Sequence, residues 1–270
     1  MHPGRIAELL HPFLLSDANL STAQLEGIST YIDILLRWNA RFNLTAIRDP
    51  EEIVTRHFGE SLFAAQHLFP KAVPGAAEAF LRPAERSDGT PSGAISGGRV
   101  TLQGRVKRQE KTGASAPTIA DVGSGAGFPG IPIKLWAPQV HVTLIESNHK
   151  KSTFLREVVR ALTLTDIDIK TTRVESTASL PASFDVVSLR AVERFATVLP
   201  VAATLVAPGG RLGLLMGASQ LPEARAAIPT FAWSSPHPIP LSSSRILVIA
   251  QSNIASQNDR FLGPARDPNS

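Results

Sequence analysis

Residues 118–132 read Thr118-Ile119-Ala120-Asp121-Val122-Gly123-Ser124-Gly125-Ala126-Gly127-Phe128-Pro129-Gly130-Ile131-Pro132. A short apolar run ends in an acid, three glycines follow at alternate positions, and a helix can begin soon after. Glycine lets the backbone turn tightly and approach a ligand with no Cβ in the way. In open α/β sheets, ligands sit beyond the carboxyl ends of the strands, at turns of this kind. The stretch therefore predicts a strand, a ligand-facing turn and a helix.

Two ligands compete for the turn. Gly125-x-Gly127-x-x-Gly130 matches the dinucleotide pattern, but a lone match is weak. Asp121 suits S-adenosylmethionine (AdoMet) better, because a carboxylate can receive its ammonium group whereas it repels a bare pyrophosphate. Glu146 lies 23 residues after Gly123 and ends the next apolar run. An acid at about that distance takes the two hydroxyls of a ribose. Val174 and Glu175 follow a third strand and can bracket an adenine. Arg190 ends a fourth strand and faces the same crevice as Gly123, where it can position the cofactor or the target. A catalytic base is not evident. His57 and His149 read as isolated, and no His-Glu pair has metal-ligand spacing.

Outward from the turn, the pattern is regular. Strands are predicted at 140–145, 167–171, 184–189, 211–216 and 245–251, with 230–233 as a partner of the last. Helices are predicted at 131–136, 149–162 and 195–206, the last stopped by Pro208-Gly209-Gly210. Such alternation implies a parallel, doubly wound sheet. Residues 1–70 differ in being helical throughout. Ser21-Thr22-Ala23-Gln24 has capping-box spacing, and Leu25, Ile28, Ile32 and Leu35 repeat at helical steps to about Ala40. Asp49-Pro50-Glu51-Glu52 starts another helix. The N-terminal part reads as a helical cap on an α/β core, and 252–270 as a polar tail.

Residues 71–117 stand apart, with seven glycines, four prolines, eight Lys or Arg and four Asp or Glu. Little there can be buried, so the segment reads as a flexible surface insertion, with a basic arm on RNA phosphates as the alternative. It carries the whole formal surplus of +4 in the 270-residue chain. The absence of cysteine excludes disulfides, thiolate metal sites and a cysteine nucleophile. No apolar run approaches a membrane span and no signal pattern opens the chain, so a cytoplasmic protein is expected.

Trp38-Asn39, Asn43-Leu44-Thr45, Arg48-Asp49-Pro50 and Arg56-His57 form one group of motifs. Asp121 to Pro132, Lys150-Lys151, Phe154-Leu155 and Arg190-Ala191 form another. Together they resemble the RsmG (GidB) family of bacterial AdoMet-dependent methyltransferases, which modify N7 of a guanine in the 530 loop of 16S ribosomal RNA. The resemblance spans roughly residues 5–70 and 117–250. It implies a Rossmann-like class I methyltransferase sheet and cofactor contacts at Gly123, Phe128, Val174, Glu175 and Arg190, beside Asp121, Gly125, Gly127 and Glu146. RNA contacts are expected at Arg48, Arg56, His57, Lys150 and Lys151. The expected partner is 16S rRNA or the small ribosomal subunit, met by a monomer with no metal and no membrane. Two positions depart from the family pattern: Glu60 stands where it has aspartate, and Met216 where it has lysine. The remaining alternatives are a methyltransferase for another RNA, a protein or a small molecule, a turnover-deficient RNA-binding relative, and an NAD-linked oxidoreductase.

Overall fold

The sheet is built around β1 (Thr118–Val122), whose last four residues are buried. It pairs in parallel with β2 (His141–Ile145) on one side and β4 (Phe184–Arg190) on the other. β3 (Ile167–Lys170) lies outside β2, and β5 (Val206–Gly217) outside β4, both parallel. The order reverses between β1 and β4, which puts a ligand crevice at their carboxyl ends. The expected Rossmann-like α/β sheet with N-terminal helices is present. Its far side departs from an all-parallel reading. β8 (Arg245–Ser252) runs antiparallel to β5, and β6 (Phe231–Trp233) and β7 (His237–Pro238) run antiparallel to β8.

This computed structural model describes residues 1–15, 18–70, 116–177, 182–192 and 194–253. The insertion expected at 71–117 lies outside these residues except for its last two positions. Most of the expected tail, 254–270, lies outside them as well. Met1–Lys71 and Ala116–Ser270 form one compact unit.

Helices cover both faces of the sheet. On one face lie α5 (Gly130–Trp136) and α6 (His149–Ala161), with α1 (Pro3–Leu10) and α2 (Thr22–Phe42) packed on the same side, all sharing a core with Ile119, Val142, Leu144 and Val186. On the other, α7 (Phe195–Ala203) and α8 (Leu221–Ala227) share a core with Ala120, Val122, Val187 and Leu189. Side chains along a strand alternate between faces. Asp121 therefore points the same way as Ile119, toward the cap, and away from Ala120 and Val122.

The cap follows its local signals. Ser21 and Gln24 make both bonds of a capping box, and α2 ends on Asn43 in the left-handed conformation. Asp49 caps α3 (Pro50–Glu52) through a 2.8 Å bond to the Glu52 amide. A π-wound stretch, Ile53–Gly59, leads directly into α4 (Glu60–Leu68). Winding of this kind is frequent at functional sites, and it carries Arg56 and His57.

Two expected boundaries moved. α7 ends at Ala203, and Pro208-Gly209-Gly210 lies inside β5, where the pairing with β4 slips between Phe184 and Val186. Proline and glycine within a strand mark such irregularities. α8 was not expected from the sequence, since its seven residues bury only Ala224 and leave little periodic signal.

Candidate functional site

The glycine turn is held from three directions. The amides of Gly123 and Ser124 donate to the Ile145 carbonyl at 2.9 and 3.1 Å, tying the turn to the end of β2. The Gly125 amide donates to Glu146 Oε2 at 2.8 Å, and the other Glu146 oxygen accepts from the Asn148 amide at 2.7 Å. Asp121 holds the turn from behind: it is fully buried, and its carboxylate accepts from the Gly130 amide at 3.1 Å and from Ser188 Oγ at 2.8 Å. From the cap, the Tyr31 hydroxyl donates to the Ala126 carbonyl. Gly123, Gly125 and Gly127 all have positive φ, which explains three glycines in so short a stretch.

A cleft of about 740 Å³ opens above this turn. Of the residues expected to hold a cofactor, Gly123, Gly125, Phe128, Glu146, Val174, Glu175 and Arg190 line it. Asp121 and Gly127 are not among its lining residues. Asp121 projects to the cap face, and Gly127 packs under Tyr31 and Ile131. Val174 is buried in the short helical turn Val174–Thr177, and its exposed neighbour Glu175 pairs with Arg194 at 3.2 Å.

The cleft floor is charged. Glu60 is 1 % exposed and meets three arginines: Arg190 at 3.0 Å, Arg245 at 2.9 Å and Arg56 at 3.2 Å. Arg190 also donates to the Arg56 carbonyl and lies 3.2 Å from His57 Nδ1. Burial lowers the Arg190 pKa to about 10, opposed by the Glu60 charge; the side chain stays cationic at neutral pH. Arg56 also reaches Glu52 at 3.7 Å, so two carboxylates meet three guanidinium groups and the cluster keeps a positive excess. The Nε atoms of Arg190 and Arg245 are buried with no hydrogen-bond partner.

His57, which reads as isolated in the sequence, is embedded. Its Nε2 meets Thr45 Oγ1 at 2.8 Å, and its ring stacks on Phe128 with centroids 4.7 Å apart. Burial, reinforced by Arg190, Arg56 and Arg245, lowers its pKa to about 3. The ring is neutral at physiological pH, so any RNA contact it makes is not a charge contact. The folded state binds fewer protons here than an unfolded chain with histidine near 6.5. Its contribution to stability is therefore complete above about pH 6.5 and is lost as pH falls toward 3. His57→Gln should flatten the fall in stability over pH 6.5–4 by up to about 1.4 kcal/mol per pH unit. Burial raises the Asp121 carboxyl to about 6, which gives the opposite slope over part of this range. Denaturant unfolding of both proteins at each pH isolates the histidine, and parallel curves would refute its assignment.

Each of the remaining expected RNA contacts lines the cleft or stands next in sequence to a residue that does. Arg48 is exposed and donates to Asn43 Oδ1 at 3.4 Å. Arg56 is partly exposed and tied to Glu52 and Glu60. Lys151 lines the cleft, and exposed Lys150 lies over the Phe42 ring. Sequence reasoning did not assign Glu60 or Arg245 to the floor, or Thr45 to the rim. The available signals were an acid inside an apolar helix and an arginine entering an apolar strand.

The family model described as "rRNA small subunit methyltransferase G" matches residues 24–73 and 105–241. A relative named Ribosomal RNA small subunit methyltransferase G, from Xanthomonas axonopodis pv. citri (strain 306), is 31% identical over 240 residues, covering 88% of this chain and 91% of its own. One of the same name from Roseiflexus castenholzii (strain DSM 13941 / HLO8) is 35% identical over 195 residues, 71% of this chain and 64% of its own. The matched segments take in the π-wound stretch, the glycine turn and Arg190, all of which shape the cleft, and the chain belongs to the rRNA small subunit methyltransferase G family.

Proposed function

We propose that this protein transfers a methyl group from AdoMet to N7 of a guanine in the 530 loop of 16S rRNA. The observation that carries the reading is the meeting of two unlike ends in one cleft. At the β2 end, Glu146 presents a carboxylate beside a glycine turn. Under the β4 end, Arg190 and Arg245 line the cleft, each with a buried Nε that has no hydrogen-bond partner. A buried donor without a partner costs roughly 1–3 kcal/mol, and the positive charge of these arginines favours an anionic ligand group in the adjoining cleft. Glu146 has lone pairs left for two ribose hydroxyls, Val174 and Glu175 border the adenine position, and Arg190 faces the carboxylate end. Asp121 acts from beneath, fixing the Gly130 amide and so the shape of the turn.

When bound, AdoMet supplies an electrophilic methyl group on a sulfonium. Guanine N7 has a lone pair and no proton, so the protein need not provide a base to make the nucleophile. Its residues align and shield. Phe128 and neutral His57 form a stacked aromatic pair beside the glycine turn, and Thr45 fixes the imidazole. The Glu60–arginine floor holds its charge in place before the substrate arrives, which is electrostatic preorganisation.

Mapping N7-methylguanosine in 16S rRNA by mass spectrometry tests the proposal. Small subunits from cells lacking the protein should gain the mark on incubation with protein and AdoMet. If the mark appears elsewhere, the target assignment is wrong; if no methyl group is incorporated, so is the activity.

A further inference from the structure

Among the described residues, the exposed large hydrophobics are Leu15, Phe42 and Leu241, and Phe42 alone of these is aromatic. A single exposed apolar side chain is ordinary in itself. Phe42 is distinguished by its surroundings. It is the last residue of α2, followed by left-handed Asn43 and then by Leu44 and Thr45, which line the cleft. The Lys150 ammonium sits over its ring at 5.3 Å, and the next residue, Lys151, lines the cleft as well. Arg41 and Arg48 are exposed on the same short run of chain.

The ring is also braced. It packs on Trp38 at 5.2 Å, and Trp38 packs edge-on against fully buried Phe154 at 5.7 Å. The Trp38 indole donates to Glu157 at 2.9 Å. A line of three rings thus runs from the core to the rim, ending in one that is 41% exposed and flanked by cations.

We infer that Phe42, braced by Trp38 and flanked by Lys150, is a stacking platform for an unpaired RNA base beside the nucleotide that enters the cleft. The inference rests on the proposed rRNA substrate. A base has a π face and a phosphate on each side, and the patch supplies one partner for each. Magnitudes favour the exchange. The exposed ammonium–ring contact corresponds to about a 2- to 5-fold factor in an equilibrium constant, whereas base–aromatic stacking corresponds to about 5- to 150-fold. The ammonium gives way to the base and meets its phosphate.

The test measures binding of a single-stranded RNA oligonucleotide containing 2-aminopurine, AdoMet binding by calorimetry, and methylation of small subunits. Phe42→Ala should weaken oligonucleotide binding about 5- to 150-fold, reduce the quenching of 2-aminopurine, leave the AdoMet affinity unchanged, and lower the melting temperature by only a few degrees. Phe42→Trp should retain affinity, and Phe42→Leu should not. Lys150→Ala should lower the salt slope by about one. The platform is overturned if Phe42→Ala binds the oligonucleotide like the parent, or if Phe42→Leu restores binding in full. It is also overturned if free RNA fails to compete with small subunits for this surface, which would mark it as a protein contact. Failure of the parent to methylate any subunit would refute the proposed function, while the oligonucleotide comparison would still decide the platform.

Discussion

Replacing Glu60 with glutamine should destabilise the protein by roughly 3–5 kcal/mol, because it removes the anion from a buried cluster and leaves its cations in place. The substitution keeps the volume and removes only the charge. Arg190 is the critical partner: its side chain is 6% exposed, against 22% for Arg245 and 42% for Arg56. The two outer arginines can relax toward water, and Arg190 cannot. Denaturant unfolding gives the magnitude. The double variant Glu60→Gln/Arg190→Gln should recover part of the loss, with a coupling of more than 1 kcal/mol. A Glu60→Gln protein as stable as the parent would show that the floor is not held by this pair.

The second large effect is expected at Gly127. Its φ is +88°, where a Cβ is unfavourable by roughly 1–2 kcal/mol before any contact is considered. A Cβ would also strike the Tyr31 hydroxyl and come within 2.7 Å of Ile131 Cδ1. Both neighbours are buried, and Tyr31 is tied to the Ala126 carbonyl, so neither can yield without disturbing the turn. Gly127→Ala should therefore lower stability by about 3 kcal/mol or more and abolish AdoMet binding by calorimetry. A Gly127→Ala protein that melts and binds like the parent would refute this account of the turn.

These two positions show what the sequence makes legible. Gly127 belongs to a local pattern: a strand, a turn and a helix within fifteen residues, each announced by its own chemistry. The capping box at Ser21 and the aspartate cap at Asp49 are legible for the same reason. Glu60 is not, because its partner Arg190 is 130 residues away and nothing near either residue announces the other. His57 reads as isolated because its partners, Arg190 and Phe128, reach it only through the fold. Asp121 stands two residues before Gly123, at the end of β1, but the sequence does not say which way its carboxylate points. That follows from strand alternation combined with the position of the cap. The antiparallel end of the sheet was hidden too, because β8 has the apolar run of an interior strand and run length carries no direction.

The hydroxyl of Tyr31 crosses 95 positions of sequence to meet the carbonyl of Ala126. The helix that carries it thus clamps the loop beneath the cleft. Replacing the N-terminal helices would free the loop at the moment they were removed. Any chimera that retargets the enzyme must therefore carry a substitute for that phenol, and a library of swapped N-terminal segments should be screened for nucleoside retention before it is screened for new targets.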